Sequence, residues 1–196
     1  ATHAACVRGH NIYLLGLDGT SKALTTDGSP SLVYGLSVHQ NEFGIKGGLF
    51  WSPDGKRLAF YRMDQHMVTP YPIVHTNTRK ATREDLYYPM AGMPSHQVTV
   101  GIFDTESGQT TYLQTGEPKE KYLTNISWAP DGRTIYIAEV NREQNHMDLQ
   151  AYDPSMGARL RTLFSEHNEK YIEPQWPLYF IPGRPNEFVW QTRRDG

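Results

Sequence analysis

The chain has 196 residues, with 19 Lys and Arg against 21 Asp and Glu, so its formal charge of −2 provides no basic field for nucleic acid or an anionic lipid surface. Hydrophobic residues make up 38% of it, enough to bury a core, yet no apolar run approaches the ~20 residues that cross a bilayer as a helix. The lone cysteine, Cys6, excludes an internal disulfide and beside Val7 reads as a small buried hydrophobe, while Ala1-Thr2-His3-Ala4-Ala5 lacks the pattern of a signal peptide.

In chain order, residues 11–18 (Asn-Ile-Tyr-Leu-Leu-Gly-Leu-Asp) read as a strand, Gly19-Thr20 as a turn and Ala23-Leu24-Thr25 as the returning strand. Next comes Phe50-Trp51-Ser52-Pro53-Asp54-Gly55, followed by the apolar Leu58-Ala59-Phe60. An aromatic ends one strand, Pro-Asp-Gly makes a tight turn, and an apolar run starts the strand back. The strand–turn–strand unit recurs at 97–113, around Asp104 and Gly108. Ser127-Trp128-Ala129-Pro130-Asp131-Gly132 then repeats the first motif, and 149–163 repeats the second around Asp153 and Gly157. A worn third copy of the first motif is Tyr179-Phe180-Ile181-Pro182-Gly183-Arg184, with Glu187-Phe188-Val189-Trp190 after it.

The two units together make four antiparallel strands, A to D, which is one blade of a β-propeller. The expected fold is all-β: a partial propeller of two complete four-stranded blades with partial blades at both ends. Strands are expected near 11–17, 22–26, 48–52, 57–62, 97–103, 109–114, 125–129, 134–140, 147–152, 159–164, 177–181 and 187–192. Residues 1–196 are read as a fragment of a propeller domain that starts inside one blade and stops in a turn of another, at Asp195-Gly196. Copies of such a fragment are expected to associate through their open edges, so a homo-oligomer is an expected partner state.

Spacing is more informative than the motif. From Trp128 to Asp153 is 25 residues, and from Trp51 to Asp104 is 53, an excess of 28 that falls between strands B and C, roughly residues 64–95. A shorter excess, around 38–48, is placed in the link from strand D to strand A. Strands alternate in direction, so the B–C and D–A loops share one face of the disc and both insertions should meet there. Of the longer one, 79–85 is polar and expected in solvent, whereas Met63, Met67, Val68, Tyr71, Ile73, Val74, Tyr87, Tyr88, Met90 and Met93 are expected to pack against the blade or a partner domain.

No Gly-x-Ser-x-Gly elbow, His-Glu-x-x-His, cysteine pair or phosphate-cradling loop occurs, so no catalytic residue, metal or cofactor is assigned. Asn125-Ile126-Ser127 fits a glycosylation triplet but sits in a predicted strand. Glu42 alone would be read as a solvated loop acid.

Several stretches resemble the N-terminal propeller of the dipeptidyl peptidase IV family, in the prolyl oligopeptidase group of serine peptidases. They are Phe50-Trp51-Ser52-Pro53-Asp54-Gly55, Tyr61-Arg62-Met63-Asp64-Gln65, Tyr87-Tyr88-Pro89-Met90-Ala91-Gly92 and Trp190-Gln191-Thr192-Arg193-Arg194-Asp195-Gly196. Two further stretches, 38–45 around Gln40-Asn41-Glu42-Phe43-Gly44 and 114–121, are similar to the prolyl tripeptidyl peptidases of Bacteroides-type bacteria. The resemblance implies an eight-bladed propeller capping an α/β-hydrolase domain that lies outside this chain and carries the Ser, Asp and His. The chain alone is then expected to be inactive. It also implies a peptide substrate whose free N-terminus binds Glu42, with Gln40 and Asn41 as neighbours. Dipeptidyl members present two adjacent Glu here; this chain has one, which fits release of tripeptides ending in Pro. A periplasmic or envelope location in a Gram-negative bacterium is implied as well. A non-catalytic, protein-binding periplasmic propeller is the alternative, and a sugar-binding propeller would want exposed Trp on the loop face.

Overall fold

The computed structural model describes residues 3–194, so the turn expected at Asp195-Gly196 lies outside the described residues, as do Ala1 and Thr2. Three strands open the chain: β1 (His3–Arg8), β2 (Asn11–Gly16) and β3 (Ser21–Ala23), paired in that order as one antiparallel sheet. They are strands B, C and D of a first blade, and β1 lies upstream of the first strand expected from sequence. Cys6 sits on β1 opposite Tyr13 and is half-buried.

The second blade holds β4 (Leu32–Tyr34), β5 (Leu49–Trp51), β6 (Arg57–Asp64), β7 (Pro70–His75), β8 (Thr82–Tyr87), β9 (Gln97–Asp104) and β10 (Thr110–Tyr112). Here the structure corrects the sequence reading. Both β4 and β5 pair with β6, at Leu32–Tyr34 against Asp64–Arg62 and at Leu49–Trp51 against Phe60–Leu58. They are two halves of one strand A. The shorter insertion therefore interrupts strand A instead of lengthening the link before it. The longer insertion does lie between strands B and C, but β7 and β8 fold it into a hairpin of their own that pairs with no blade. Residues 79–85 are in solvent; Val68 is buried, whereas Tyr71, Val74, Tyr88 and Met93 are exposed and so do not pack against the blade.

The third blade is regular: β11 (Tyr122–Trp128), β12 (Ile135–Val140), β13 (His146–Tyr152) and β14 (Arg159–His167) pair in chain order. A last pair, β15 (Tyr179–Phe180) and β16 (Phe188–Val189), supplies strands A and B of a fourth blade. Two complete blades between partial ones are thus observed.

The core lies between blades, which explains why the central strands read as continuous apolar runs. On β6, Leu58 and Phe60 pack toward β2 with Ile12 and Leu14, while Ala59 and Tyr61 pack toward the third blade with Leu123, Ile135 and Ile137. On β12, the alternate residues Ala138 and Val140 face Met147, Leu149 and Leu178 instead. Period-two alternation puts successive side chains on opposite sheet faces, and here both faces are buried. Each fully buried Leu or Ile contributes roughly 1.5–3 kcal/mol. The Pro-Asp-Gly turns share the rim opposite the insertions. There Arg57 joins the second and third blades, its guanidinium donating to Gly132 O (3.3 Å) and Ser155 Oγ (3.1 Å).

Candidate functional site

The break in strand A sends residues 35–48 out of the sheet, and His39–Gly44 form a tight turn at its tip. Its backbone is unusual. His39, Gln40 and Asn41 are three consecutive left-handed residues (φ 54°, 55° and 64°), and Phe43 and Gly44 follow at 54° and 71°. For L-residues this conformation costs on the order of 1–2 kcal/mol each and is rarely adopted in sequence. Such backbone persists where the surroundings over-determine it, and it gathers at functional sites.

The surroundings can be named. Phe43 is 2% exposed and packs edge-on against Tyr122 (ring centroids 5.0 Å apart), in the same cluster as Met147, Leu149, Ile172 and Leu178. Its carbonyl accepts from Thr124 Oγ1 at 3.4 Å. His39 is 3% exposed; its Nε2 accepts the Leu123 backbone N–H at 3.1 Å and its Nδ1 lies 2.9 Å from His96 Nε2. Gly44 fits because it has no side chain: a Cβ there would stand 2.3 Å from Gln175 O, and its φ is in the left-handed region. Two buried side chains of this excursion from the second blade therefore pin the turn onto the third.

Between these anchors, Glu42 has extended backbone (φ −58°, ψ 162°) and projects into solvent, where its carboxylate has no hydrogen-bonding or ionic partner among the described residues. Its neighbours are partly engaged. Gln40 Nε2 donates to Tyr87 O of the longer insertion at 3.2 Å, and Asn41 Oδ1 accepts from the Ser37 hydroxyl. That leaves the Gln40 carbonyl and the Asn41 amide nitrogen free of those two bonds. The Gln40–Tyr87 and His39–His96 contacts bring the two insertions together, although the shorter one leaves from within strand A and not from the link before it.

The electrostatics behind Glu42 differ from those at its tip. Burial, reinforced by His96, holds the proton affinity of His39 well below the usual imidazole range. Burial also pushes His96 down to about 4, with Arg142 acting in the same direction and Glu120 against it. Both rings are neutral at pH 7. An apolar recess of about 90 Å³, lined by Phe43, Ile45, Phe50, Tyr61 and Ile126 among others, lies beside the turn. On the link after β14, Trp176 is half exposed next to Gln175, and a cleft of about 780 Å³ opens between residues 166–174 and 190–194. Trp176 and residues 168–174 fall in the link between the last strand of the third blade and the next copy of the repeat, where no strand pattern marks them. Asn125 is buried within β11, its amide donating to Pro174 O at 3.0 Å, so the glycosylation triplet is not presented. Among the described residues no group of three or more His, Cys, Asp or Glu is placed to hold a metal ion.

Known proteins show the same architecture. The family model for the dipeptidyl peptidase IV (DPP IV) N-terminal region matches residues 2–196. A probable dipeptidyl-aminopeptidase B from Uncinocarpus reesii is 28% identical over 94% of this chain and 23% of its own length, and one from Phaeosphaeria nodorum is 29% identical over 92% and 23%. The chain thus spans about a quarter of the curated relatives it matches. Among solved structures, a candidate dipeptidyl aminopeptidase IV from Bacteroides ovatus is 46% identical with a TM-score of 0.90, covering 99% of this chain and 27% of that one. Porphyromonas gingivalis dipeptidyl peptidase 4, 24% identical with a TM-score of 0.88, shares the fold over 100% of this chain and 28% of its own. With the broken strand A, the blade repeat and a family match over nearly every residue, this chain belongs to the dipeptidyl peptidase IV N-terminal region family.

Proposed function

We propose that this chain is the N-terminus-recognition part of a serine exopeptidase, and that the Glu42 carboxylate receives the α-ammonium of the peptide substrate. The observation that carries the proposal is the contrast within one turn. A solvent-facing carboxylate without a partner stands on backbone held in left-handed conformations by two buried neighbours. A solvated loop acid needs no such support.

The chemistry follows from charge and distance. A peptide α-amine has a pKa near 7.7–8.0 and is largely protonated at neutral pH. A carboxylate held in a cavity shielded by a catalytic domain attracts that charge more strongly than one in bulk water. Fixing the N-terminus at a set distance from a catalytic serine turns its position into the choice of scissile bond. Internal chain segments carry no such charge and would leave Glu42 unpaired, which disfavours them.

A single carboxylate on this turn, with the amides Gln40 and Asn41 beside it, favours release of tripeptides ending in Pro over dipeptides. The partners of this reading are a peptide with a free N-terminus and the α/β-hydrolase domain of the whole protein; its place is the periplasm or envelope of a Gram-negative bacterium. In the full-length protein, Glu42→Gln or Glu42→Ala should lower kcat/KM for free-N-terminus peptides by on the order of 10²-fold, the effect of losing a desolvated charge-assisted contact of about 3 kcal/mol. N-acetylated peptides should react poorly with wild type and be little changed by the substitution. Equal sensitivity of blocked and free peptides removes Glu42 from the role. Mass analysis of products from a peptide with Pro at its second and third positions decides between dipeptide and tripeptide release.

A further inference from the structure

We infer that His39 is a positioning residue for substrate recognition: through a fixed chain of proton donors and acceptors it holds the turn that presents Glu42. This rests on the role of Glu42 proposed above and adds the device that keeps the carboxylate in place.

The chain of donors can be followed one proton at a time. β11 is the innermost strand of the third blade, paired with β12 along one edge only. On its other edge the groups of Leu123 need partners, because buried backbone N–H and C=O are not left unpaired. Both partners come from the second blade: Tyr61 Oη donates to Leu123 O at 2.8 Å, and Leu123 N–H donates to His39 Nε2 at 3.1 Å. A backbone N–H can only donate, so His39 Nε2 carries no proton and its Nδ1 does. That Nδ1–H faces His96 Nε2 at 2.9 Å, so His96 Nε2 is the acceptor and its own proton sits on Nδ1. His96 Nδ1 is buried with no hydrogen-bond partner.

The arrangement admits one tautomer of each ring and no extra proton. A proton on His96 Nε2 would point at the Nδ1–H of His39, and shifting the His39 proton to Nε2 would set it against the Leu123 N–H. The groups packed around the pair do not relieve this. Tyr122 lies edge-on to His39, 5.1 Å between centroids. Near His96, Glu120 and Arg142 are paired with each other at 3.0 Å, and Glu120 also accepts the Ser95 N–H at 2.9 Å. The lock joins three segments that carry no regular pairing to one another: the turn at 39–44, the end of the longer insertion at 95–96, and the free edge of β11. The first left-handed residue of the turn is His39 itself, three positions before Glu42. Releasing its ring frees the turn at that end, leaving Phe43 as the remaining anchor.

The test uses the full-length protein and a double-mutant cycle. His39→Ala should lower kcat/KM for free-N-terminus peptides about tenfold, mostly through KM, while N-acetylated peptides change less than twofold. His39→Gln should recover most of the loss, since its carbonyl can accept from Leu123 and its amide can donate to His96. In a Glu42→Gln background, His39→Ala should add nothing further. Three outcomes are distinguishable. If Glu42→Gln alone is silent, the role of Glu42 fails and this inference with it. If Glu42→Gln is costly but His39→Ala is silent, or its loss adds fully to that of Glu42→Gln, positioning by His39 is overturned while the role of Glu42 stands. Should His39→Ala not fold, nitrogen NMR of the histidine-labelled wild type decides: a bare Nε2 on His39 supports the lock, and a protonated Nε2 overturns it.

Discussion

The second and third blades are built from the same repeat and part company on one face. In the third, strand A stays in the sheet through β11 with only a bulge between Thr124 and Ser127, and a short loop joins β12 to β13. In the second, strand A is cut between β4 and β5, and 32 residues separate β6 from β9. The interblade cores are alike, with Leu58, Phe60, Ile135 and Ile137 equally inaccessible. The difference lies only where B–C loops and strand-A ends emerge. A blade tolerates such additions because its stability comes from side chains packed between sheets, and excursions at one end leave that packing intact. The added chain is in turn held by the regular blade: His39 and Phe43 both end on β11 or the cluster behind it.

The contrast can be broken where packing is densest. Ile137→Ala on β12, at 0% exposure, should lower stability by about 2–5 kcal/mol, read from chemical denaturation of the full-length protein. A loss below 1 kcal/mol would show that the interblade core is not what holds the blades together.

A somewhat smaller effect belongs to the histidine pair that joins the two insertions. His96 is depressed from the ordinary value near 6.5 to about 4, and His39 is depressed too. Above pH 6.5 native and unfolded states are both neutral, and the stability from neutral burial is complete. As pH falls below 6.5, the unfolded chain takes up protons that the native pair refuses, so stability declines toward about pH 4. For His96 alone the loss amounts to about 3 kcal/mol. Denaturation midpoints measured between pH 7 and pH 4.5 check the sign, and His96→Gln should flatten the curve. An unchanged slope in that variant would place the acid sensitivity elsewhere.

The smallest effect is expected on the hairpin. Val74 on β7 is 60% exposed, and Val74→Ser should change stability by less than about 0.5 kcal/mol. A larger loss in the full-length protein would mean that the hairpin is covered there by another part of the molecule.

Which of these features can be seen in the sequence depends on how local their causes are. The Pro-Asp-Gly turns are legible because their chemistry spans four residues: Ser52 Oγ donates to Asp54 at 2.6 Å, and Gly55 N–H donates back to Ser52 O at 2.9 Å. The two-unit repeat then gave the blade order. The break in strand A was not legible, because β4 is three residues long and is defined only by pairing with Arg62–Asp64, about 30 positions on. One signal was available. Gly48 brackets the excursion because a Cβ there would lie 2.2 Å from Leu36 O, where the chain leaves and re-enters the sheet. The hairpin is not legible, since both its faces meet solvent, so β7 and β8 lack the alternation that marks a half-buried strand, and Pro70 and Pro72 argue against one. Glu42 was found by resemblance, not by pattern. Its supports, His39 and His96, lie 57 positions apart, and no spacing rule joins two single histidines at that distance.

The most direct measurement of the central claim is equilibrium binding, free of the chemical step. An uncleavable peptide with a free N-terminus and its N-acetylated twin are titrated by calorimetry into the full-length protein, wild type and Glu42→Gln. The free peptide should bind the wild type on the order of 10²-fold more tightly than its twin, and the ratio should fall to near one in Glu42→Gln. An equally large ratio in both proteins would contradict the account, because another group would then be reading the peptide's N-terminus.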